Sequence, residues 1–223
     1  MNSIICTVDV VLLTLKNSAL HVVLLKRDRE PFAGELALPG GFIHADEDQD
    51  AGDAARRMLL AKAGITSPYL EQLETFTGAK RDPRGWSASI VYYALVPEEV
   101  IVQAAHPDVH LVQVDSLSNM PFDHLHIINT AVSRVRNKST YSSLPVYLVG
   151  EKFTLPQLQK VYEAVMGEPI NKVSFRRKMD ALGMIELTDE YETGKPNRPG
   201  QFCRVKEEFR GALSTMGRAF NAG

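Results

Sequence analysis

Two arginines and a tryptophan lie close together in residues 81–86, which read RDPRGW. Guanidinium groups bind diphosphate oxygens in a bidentate manner, and the indole of Trp86 offers a face on which an adenine can stack. Arg27, just after the second predicted strand, is another candidate phosphate ligand. The alternative is that Arg81 and Asp82 form a local ion pair and that Trp86 fills a surface or core position. These residue types indicate a nucleotide diphosphate if the surrounding chain supports one.

That support comes from residues 40–65, which read GGFIHADEDQDAGDAARRMLLAKAGI. A glycine pair opens an acidic loop, a predicted helix follows, and a glycine ends it. The stretch resembles the Nudix box of nucleoside-diphosphate hydrolases, whose pattern is Gly, five residues, Glu, seven residues, Arg-Glu, an aliphatic, any residue, Glu-Glu, any residue, Gly and an aliphatic. The matching residues are Gly41, Glu47, Arg57, Leu59, Gly64 and Ile65.

The carboxylates of the box are missing. Its three glutamate positions hold Met58, Ala61 and Lys62, and the spacer before Arg57 is two residues too long. In a Nudix hydrolase these glutamates hold divalent cations, which bridge the diphosphate and activate water. Met58 and Ala61 offer no oxygen ligand, and the Lys62 ammonium opposes a cation. We therefore predict no catalytic residue, no metal site and no required cofactor.

A metal site could have been rebuilt from the acidic loop. The longer spacer leaves room for this, and the available carboxylates are those of Asp46, Asp48, Asp50 and Asp53. We favour a solvated loop leading to a helix N-terminus, where negative charge is stabilised. Asp50 or Asp53 is then expected to cap the helix, and Glu47 is expected to pair with Arg57.

The box and the arginine loop, residues 81–86, together predict a nucleotide-binding cleft without catalysis. The candidate effector-binding residues are Arg27, Gly40, Gly41, Arg81, Asp82, Arg84 and Trp86.

The elements that must position these residues form an α/β Nudix sandwich, a mixed sheet between helices. Apolar, β-branched runs predict strands at residues 4–15, 20–25, 70–76 and 87–96, on both sides of the box helix. Helical spacing of apolar residues follows at 121–135, and residues 137–140 predict a polar turn. We therefore assign residues 1–140 to an effector-binding domain.

Residues 141–223 predict a second domain of the winged helix-turn-helix type. Thr154 and Gln157 have the spacing of a capping box at the start of one helix. Asn171 is placed to cap a second helix over residues 172–182. Predicted strands at 184–187 and 201–205 then enclose a Gly- and Pro-rich loop at the position of a wing.

The second of these helices is basic on its outward face. With Phe175 and Met179 buried, its hydroxyl and cationic side chains point to solvent. Arginine can bond guanine edges in the major groove, and lysine can neutralise phosphate. The alternative is a solvated basic helix without a ligand. The candidate DNA-binding residues, including three in the wing loop, are Asn171, Lys172, Ser174, Arg176, Arg177, Lys178, Lys195, Asn197 and Arg198.

The composition limits the class of protein. A chain of 223 residues with 23% charged residues is typical of one large or two modest globular domains. The net charge of −2 gives no general affinity for nucleic acid, so any basic surface must be local. Cys6 and Cys203 are too few for a disulfide framework. This predicts that the protein works in a reducing compartment, the cytoplasm. The apolar start lacks the features of a leader or a membrane span, so no membrane contact is expected.

Together the two halves resemble the NrtR family, the Nudix-related transcriptional regulators of NAD metabolism. The most specific parts are the box, residues 81–85, residues 122–124 (FDH) and the run 153–179. The resemblance implies a homodimeric repressor that binds double-stranded operator DNA at NAD biosynthesis or salvage genes. It also implies that ADP-ribose binds the Nudix domain as an effector and releases the DNA.

Two other functions stay open at this stage. The first is an active Nudix hydrolase of the ADP-ribose pyrophosphatase type with an accessory C-terminal module. The second is an adaptor whose winged helix binds protein rather than DNA.

Overall fold

The computed structural model describes residues 4–193, 199–211, 213–216 and 220. The chain divides into two compact units: Met1–Lys16 with Leu20–Ser133, and Asn17–Ala19 with Arg134–Gly223. The division falls inside a helix, whereas the predicted boundary between residues 140 and 141 lies just after that helix. Among the described residues, no helix is both long and apolar enough to cross a bilayer.

The first unit is built on a seven-stranded mixed sheet. Its strands are β1 (Ile5–Lys16), β2 (Ala19–Lys26), β3 (Leu36–Ala37), β4 (Gly40–Phe42), β5 (Leu70–Gly78), β6 (Ser87–Leu95) and β7 (Val109–Gln113). The main order is β3-β2-β1-β6-β5, with β4 paired to β1 and β7 to β2. β1 is the central strand in this order. It runs parallel to β6 and antiparallel to β4, which makes the sheet mixed.

Three helices accompany the sheet: α1 (Ala51–Ala63), α2 (Glu98–Ala104) and α3 (His124–Ser139). Alternate residues of β1 explain why both faces of the sheet must be covered. Val10 and Leu12 pack in a cluster with Ala55 and Leu59 of α1, while the intervening residue Val11 is also fully buried. The predicted α/β Nudix sandwich is confirmed.

The box helix begins and ends where the sequence indicates. The Asp50 side chain accepts a hydrogen bond from the Asp53 amide, which makes Asp50 the N-cap. Gly64 ends the helix in the left-handed conformation, with φ of 65°. These local signals fix the position of α1 beside the glycine pair of β4.

The predicted polar turn at residues 137–140 is wrong, because α3 continues to Ser139. The Ser139 hydroxyl donates to the Val135 carbonyl one turn earlier, at 2.6 Å. A serine that bonds back to its own helix satisfies its polar group without ending the helix. The run of polar side chains was therefore compatible with a longer helix.

The second unit is a winged helix: α4 (Leu155–Met166), α5 (Lys172–Leu182) and the antiparallel pair β8 (Ile185–Tyr191) and β9 (Gln201–Val205). Both bonds of the Thr154–Gln157 capping box are present, and Asn171 caps α5. The wing residues Lys195, Asn197 and Arg198 lie outside the described residues.

An aromatic cluster holds α5 in place from behind. Phe175 of α5 contacts Tyr162 of α4 edge-on at 5.4 Å and stacks on Phe220 at 5.7 Å between ring centroids. All three rings are buried. The C-terminal segment, to which the sequence assigned no structure, thus contributes Phe220 to the core behind the basic helix.

Candidate functional site

A cleft of about 560 Å³ opens at the edge of the first unit, beside β4 and the box helix. This volume suits a small-molecule ligand. The cationic side chains that line it are those of Lys26, Arg27, Arg29, Lys62, Arg81 and Arg84. The acidic ones are Asp9, Asp28, Asp82 and Asp108. Six formal positive charges against four negative ones favour an anionic ligand.

Gly40 and Gly41 form one wall because no larger residue fits there. A Cβ on Gly40 would lie 2.0 Å from the Asp9 carboxylate and 2.7 Å from the Val8 carbonyl. A Cβ on Gly41 would lie 2.8 Å from the Met58 sulfur. The glycine pair therefore lets β4 approach both β1 and α1, and it offers the cleft backbone atoms rather than side chains.

The three residues that the motif pattern aligns with the glutamates, Met58, Ala61 and Lys62, line the cleft, and none of them carries a carboxylate. Met58 is buried with its thioether against Gly41, and Ala61 lines the cleft. The Lys62 ammonium donates to the Gly40 carbonyl at 2.5 Å. Although part of the Lys62 side chain is exposed, burial of its ammonium lowers its pKa, and Arg29 adds to the effect.

The acidic loop is occupied by local contacts. Asp48 forms a two-pronged pair with Arg57, at 2.7 and 2.6 Å, and also accepts from the His44 amide. Glu47 is 3.7 Å from Arg57, so the predicted Glu47–Arg57 pair is secondary to the one with Asp48. The bond from Arg57 lowers the pKa of Asp48 to about 2. Within the part of the chain that the structure describes, no three His, Cys, Asp or Glu residues are grouped to hold a metal ion.

Arg81 lines the cleft, but its guanidinium is already engaged. It pairs in two-pronged fashion with Asp123, at 2.9 and 2.8 Å, and donates to the Ser87 hydroxyl. Its side chain is 9% exposed. The local Arg81–Asp82 pair considered above is wrong, because Asp82 bonds Arg84 instead. Arg81 thus ties the arginine loop to the start of α3 and is not available as a free phosphate ligand.

Arg27 and Arg84 present their guanidinium groups to the cleft. Asp82 holds Arg84 through both carboxylate oxygens, at 2.7 and 3.0 Å. The Pro31 carbonyl holds Arg27, at 2.8 Å. Burial lowers the pKa of Arg27, and the nearby charge of Arg84 lowers it further. Arg27 and Arg84 are two fixed positive charges that repel each other. A bound diphosphate would relieve this repulsion.

The aromatic face of the cleft comes from Phe122 and Phe42, not from the predicted tryptophan. Arg27 lies 4.9 Å over the Phe122 ring, and Arg84 lies 6.0 Å from it. Trp86 is 46% exposed and is not among the residues that line the cleft. Neither phenylalanine is among the residues predicted to bind the effector, although Phe42 directly follows the glycine pair and Phe122 belongs to the FDH run.

Phe122 is directed into the cleft by its neighbours. Its φ of 56° is uncommon for a residue other than glycine. On one side Asp123 holds Arg81, and on the other the buried His124 accepts a hydrogen bond from the Leu38 amide, at 3.1 Å. Burial lowers the pKa of His124, which is consistent with a neutral imidazole acting as an acceptor. The FDH run therefore joins the arginine loop, β3 and the cleft.

The basic helix of the second unit exposes most of the side chains that the sequence singled out. Lys172, Arg176 and Arg177 are exposed, and Val173 is 77% exposed between them. Ser174 is half-buried. Phe175 and Met179 form the buried face, as predicted.

Two of the candidate DNA-binding residues also have structural contacts. The side-chain Oδ1 of Asn171 accepts the helix-capping bonds from the Val173 and Ser174 amides, which leaves the side-chain NH2 group for other partners. The Lys178 ammonium lies 4.6 Å over the Phe220 ring at the flank of α5. Lys178 is thus drawn toward the aromatic core rather than projecting with Arg176 and Arg177.

Comparison with known proteins agrees with both units. The NUDIX domain model matches residues 7–133, and the NrtR DNA-binding winged helix domain model matches residues 145–205. The chain is 37% identical over 203 residues to the ADPR responsive transcriptional repressor NtrR of Acinetobacter baylyi, covering 89% of this chain and 80% of the relative. The chain belongs to the NrtR family.

Two solved NrtR structures from Shewanella oneidensis extend the comparison. One, complexed with a 27mer DNA, is 34% identical, covers 96% of this chain and 98% of that chain, and has a TM-score of 0.89. The other is the NUDIX domain complexed with ADP ribose, 32% identical over 60% of this chain and 90% of that chain, with a TM-score of 0.53. The full two-unit fold is therefore that of the NrtR family.

Proposed function

We propose that this NrtR-family protein is a transcriptional repressor that binds operator DNA through α5 and ADP-ribose through the Nudix cleft, and that ADP-ribose releases the DNA. The named relatives support this: one is an ADPR responsive repressor, and another was crystallised with DNA and, as its NUDIX domain, with ADP ribose. The regulated genes are those of NAD biosynthesis or salvage, and the protein acts as a homodimer in the cytoplasm.

The observation that carries the proposal is a cationic nucleotide cleft whose catalytic carboxylates are absent. Met58, Ala61 and Lys62 occupy the glutamate positions, while the glycine wall and the arginines remain. Without carboxylate ligands the cleft lacks the usual means of holding a metal that activates water. A cleft that binds a nucleotide without destroying it can report the concentration of that nucleotide.

The cleft residues have distinct roles in this proposal. Arg27 and Arg84 bind the diphosphate, and the Gly40–Gly41 backbone lies alongside it. Phe122, rather than Trp86, offers the aromatic face. Arg81 positions the loop through Asp123 instead of contacting the ligand.

DNA recognition is assigned to the exposed face of α5. Arg176 and Arg177 reach base edges, and Lys172 neutralises phosphate. Ser174 and the Asn171 NH2 group add polar contacts near the start of the helix. The contribution of Lys195, Asn197 and Arg198 to a wing contact remains a proposal from sequence.

Release of the DNA requires a dimer with two arrangements. ADP-ribose must bind more tightly to the arrangement whose two α5 helices do not match the operator half-sites. By linkage, operator DNA then weakens the binding of ADP-ribose by the same factor.

An electrophoretic mobility shift assay tests the proposal directly. The full chain is mixed with promoter DNA of NAD biosynthesis genes and titrated with ADP-ribose. We expect a salt-dependent shift that ADP-ribose reverses. ADP-ribose binding without loss of DNA affinity would contradict the proposed regulation, and no DNA binding at all would favour an adaptor that binds protein.

Active hydrolysis is the second candidate, because the NUDIX domain model matches residues 7–133, which are most of the first unit. Incubation with ADP-ribose and Mg²⁺ separates the two functions. A repressor without hydrolase activity leaves ADP-ribose intact, whereas AMP formed at a normal enzymatic rate would establish a hydrolase.

A further inference from the structure

Lys62 is the only cation that the degenerate box itself places in the cleft. It occupies the last glutamate position of the motif, and its ammonium reaches the glycine wall. The nitrogen would lie 3.8 Å from a Cβ on Gly41, so it is close to both glycines of β4. Lys62 therefore stands where the metal-binding carboxylates of a Nudix hydrolase would face the substrate.

The ammonium retains capacity for a ligand. An ammonium has three N–H donors, and among the hydrogen bonds of the described residues the Gly40 carbonyl accepts one. The charged groups that act on it are those of Arg29, Asp28, Asp9 and Arg27. The two acids partly balance three cations, so the group as a whole keeps a net positive charge.

A diphosphate in this cleft needs compensation for its two negative charges. In a Nudix hydrolase, divalent cations provide it by bridging the phosphates. Here Arg84 is held by Asp82, and Arg81 by Asp123, so carboxylates already offset part of their charge. Lys62 makes no salt bridge among the described residues and faces the same cleft.

We propose that Lys62 takes the place of the divalent cation and binds the diphosphate of ADP-ribose directly, so that effector binding needs no metal. This inference rests on the proposed function. A lysine ammonium acts as a point charge toward phosphate. Unlike a metal ion, it cannot hold a water molecule and lower the pKa of that water. Met58, Ala61 and Lys62 together leave the box without carboxylate ligands, and Lys62 preserves the attraction for an anionic ligand.

Isothermal titration calorimetry on the full chain tests the inference. ADP-ribose is titrated into the wild type and into Lys62→Gln, Lys62→Arg and Lys80→Gln, each in EDTA and in Mg²⁺. Glutamine removes the charge but keeps a donor, and arginine keeps the charge. Lys80→Gln is the control, because Lys80 is exposed and lies outside the cleft lining.

We expect the wild type to bind equally well in EDTA and in Mg²⁺. Lys62→Gln should weaken binding roughly ten- to a hundredfold, the range for a hydrogen bond to a charged group. Lys62→Arg should recover most of the affinity, and Lys80→Gln should bind like the wild type. Thermal unfolding of each variant shows whether an altered affinity reflects a folded protein.

Adenosine distinguishes a ligand contact from a structural role. It has no phosphate, so its binding should be the same for the wild type and Lys62→Gln. Equal loss for adenosine and ADP-ribose would mean that Lys62 only supports the Gly40 wall. Wild-type affinity that disappears in EDTA, or Lys62→Gln that binds ADP-ribose normally, would overturn the inference alone. Failure of the wild type to bind ADP-ribose under either condition would overturn the proposed function as well.

Discussion

In the Nudix cleft, Arg81 and Arg84 each bond a carboxylate of the same unit, whereas Arg176 and Arg177 on α5 are exposed and make no salt bridge with the described residues. The two surfaces are both cationic, but their side chains are held differently. A small diphosphate is recognised by cations fixed in one geometry, which lowers the entropy lost on binding. A DNA surface gains affinity by releasing counterions, so solvated, adaptable cations serve it well.

From this comparison we expect that replacing an arginine of the cleft lowers the stability of the fold, whereas replacing an arginine of α5 weakens DNA binding. Arg81→Ala should lower the free energy of unfolding by about 3 kcal/mol, because it leaves Asp123 without its partner in a largely buried pair. Chemical denaturation of the full chain measures this. Arg56→Ala, which removes an exposed pair with Asp53 on α1, should have little effect. An unchanged unfolding energy with lost ADP-ribose affinity would make Arg81 a ligand contact instead.

On α5 the expected loss is in binding rather than stability. Arg176→Ala or Arg177→Ala should weaken operator binding by on the order of 1–3 kcal/mol at one base position, if the side chain reads a base edge. Unfolding should be unaffected because both side chains are exposed. Lys160→Ala on α4 is the matched control for loss of one charge. Equal weakening on all DNA sequences would instead indicate a phosphate contact.

Gly40→Ala tests whether the glycine wall of the cleft is held as rigidly as the paired arginines that line it. The new Cβ would clash with the Asp9 carboxylate and the Val8 carbonyl, so the unfolding free energy should fall by about 1–3 kcal/mol. ADP-ribose affinity should fall with it. At Gly78, a Cβ would meet nothing within 4 Å, so Gly78→Ala is the control. Equal stabilities for the two variants would show that β4 can move away from β1.

The smallest effect concerns acid stability of the box loop. The Asp48 pKa is lowered from 3.8 to about 2 by the hydrogen bonds from Arg57, and its side chain is 2% exposed. A depressed carboxyl pKa stabilises the fold above the unfolded value. That contribution is lost as the pH falls from about 4 to about 2. Denaturation midpoints between pH 5 and pH 2 should therefore fall more steeply for the wild type than for Asp48→Asn; parallel curves would contradict this.

Local chemistry made much of the molecule predictable from sequence. The caps at Asp50, Thr154 and Asn171 are short-range signals, since each side chain bonds an amide two or three residues away. The winged helix order followed from such signals together with helical apolar spacing. The turn predicted at residues 137–140 was wrong, because polarity alone does not end a helix whose serine can bond its own backbone.

The sequence by itself determined that the box has Met58, Ala61 and Lys62 where the pattern has glutamate, that its glycines are present, and that the outward face of α5 is basic, because these depend on residue type and spacing within one element. Only the tertiary structure decided which partner each side chain takes. Asp123 lies 42 residues beyond Arg81, and their pairing depends on how α3 meets the arginine loop. The same arrangement directs Phe122 into the cleft and leaves Trp86 outside. The position of Lys62 beside Gly40, 22 residues earlier in the chain, likewise depends on the packing of α1 against β4.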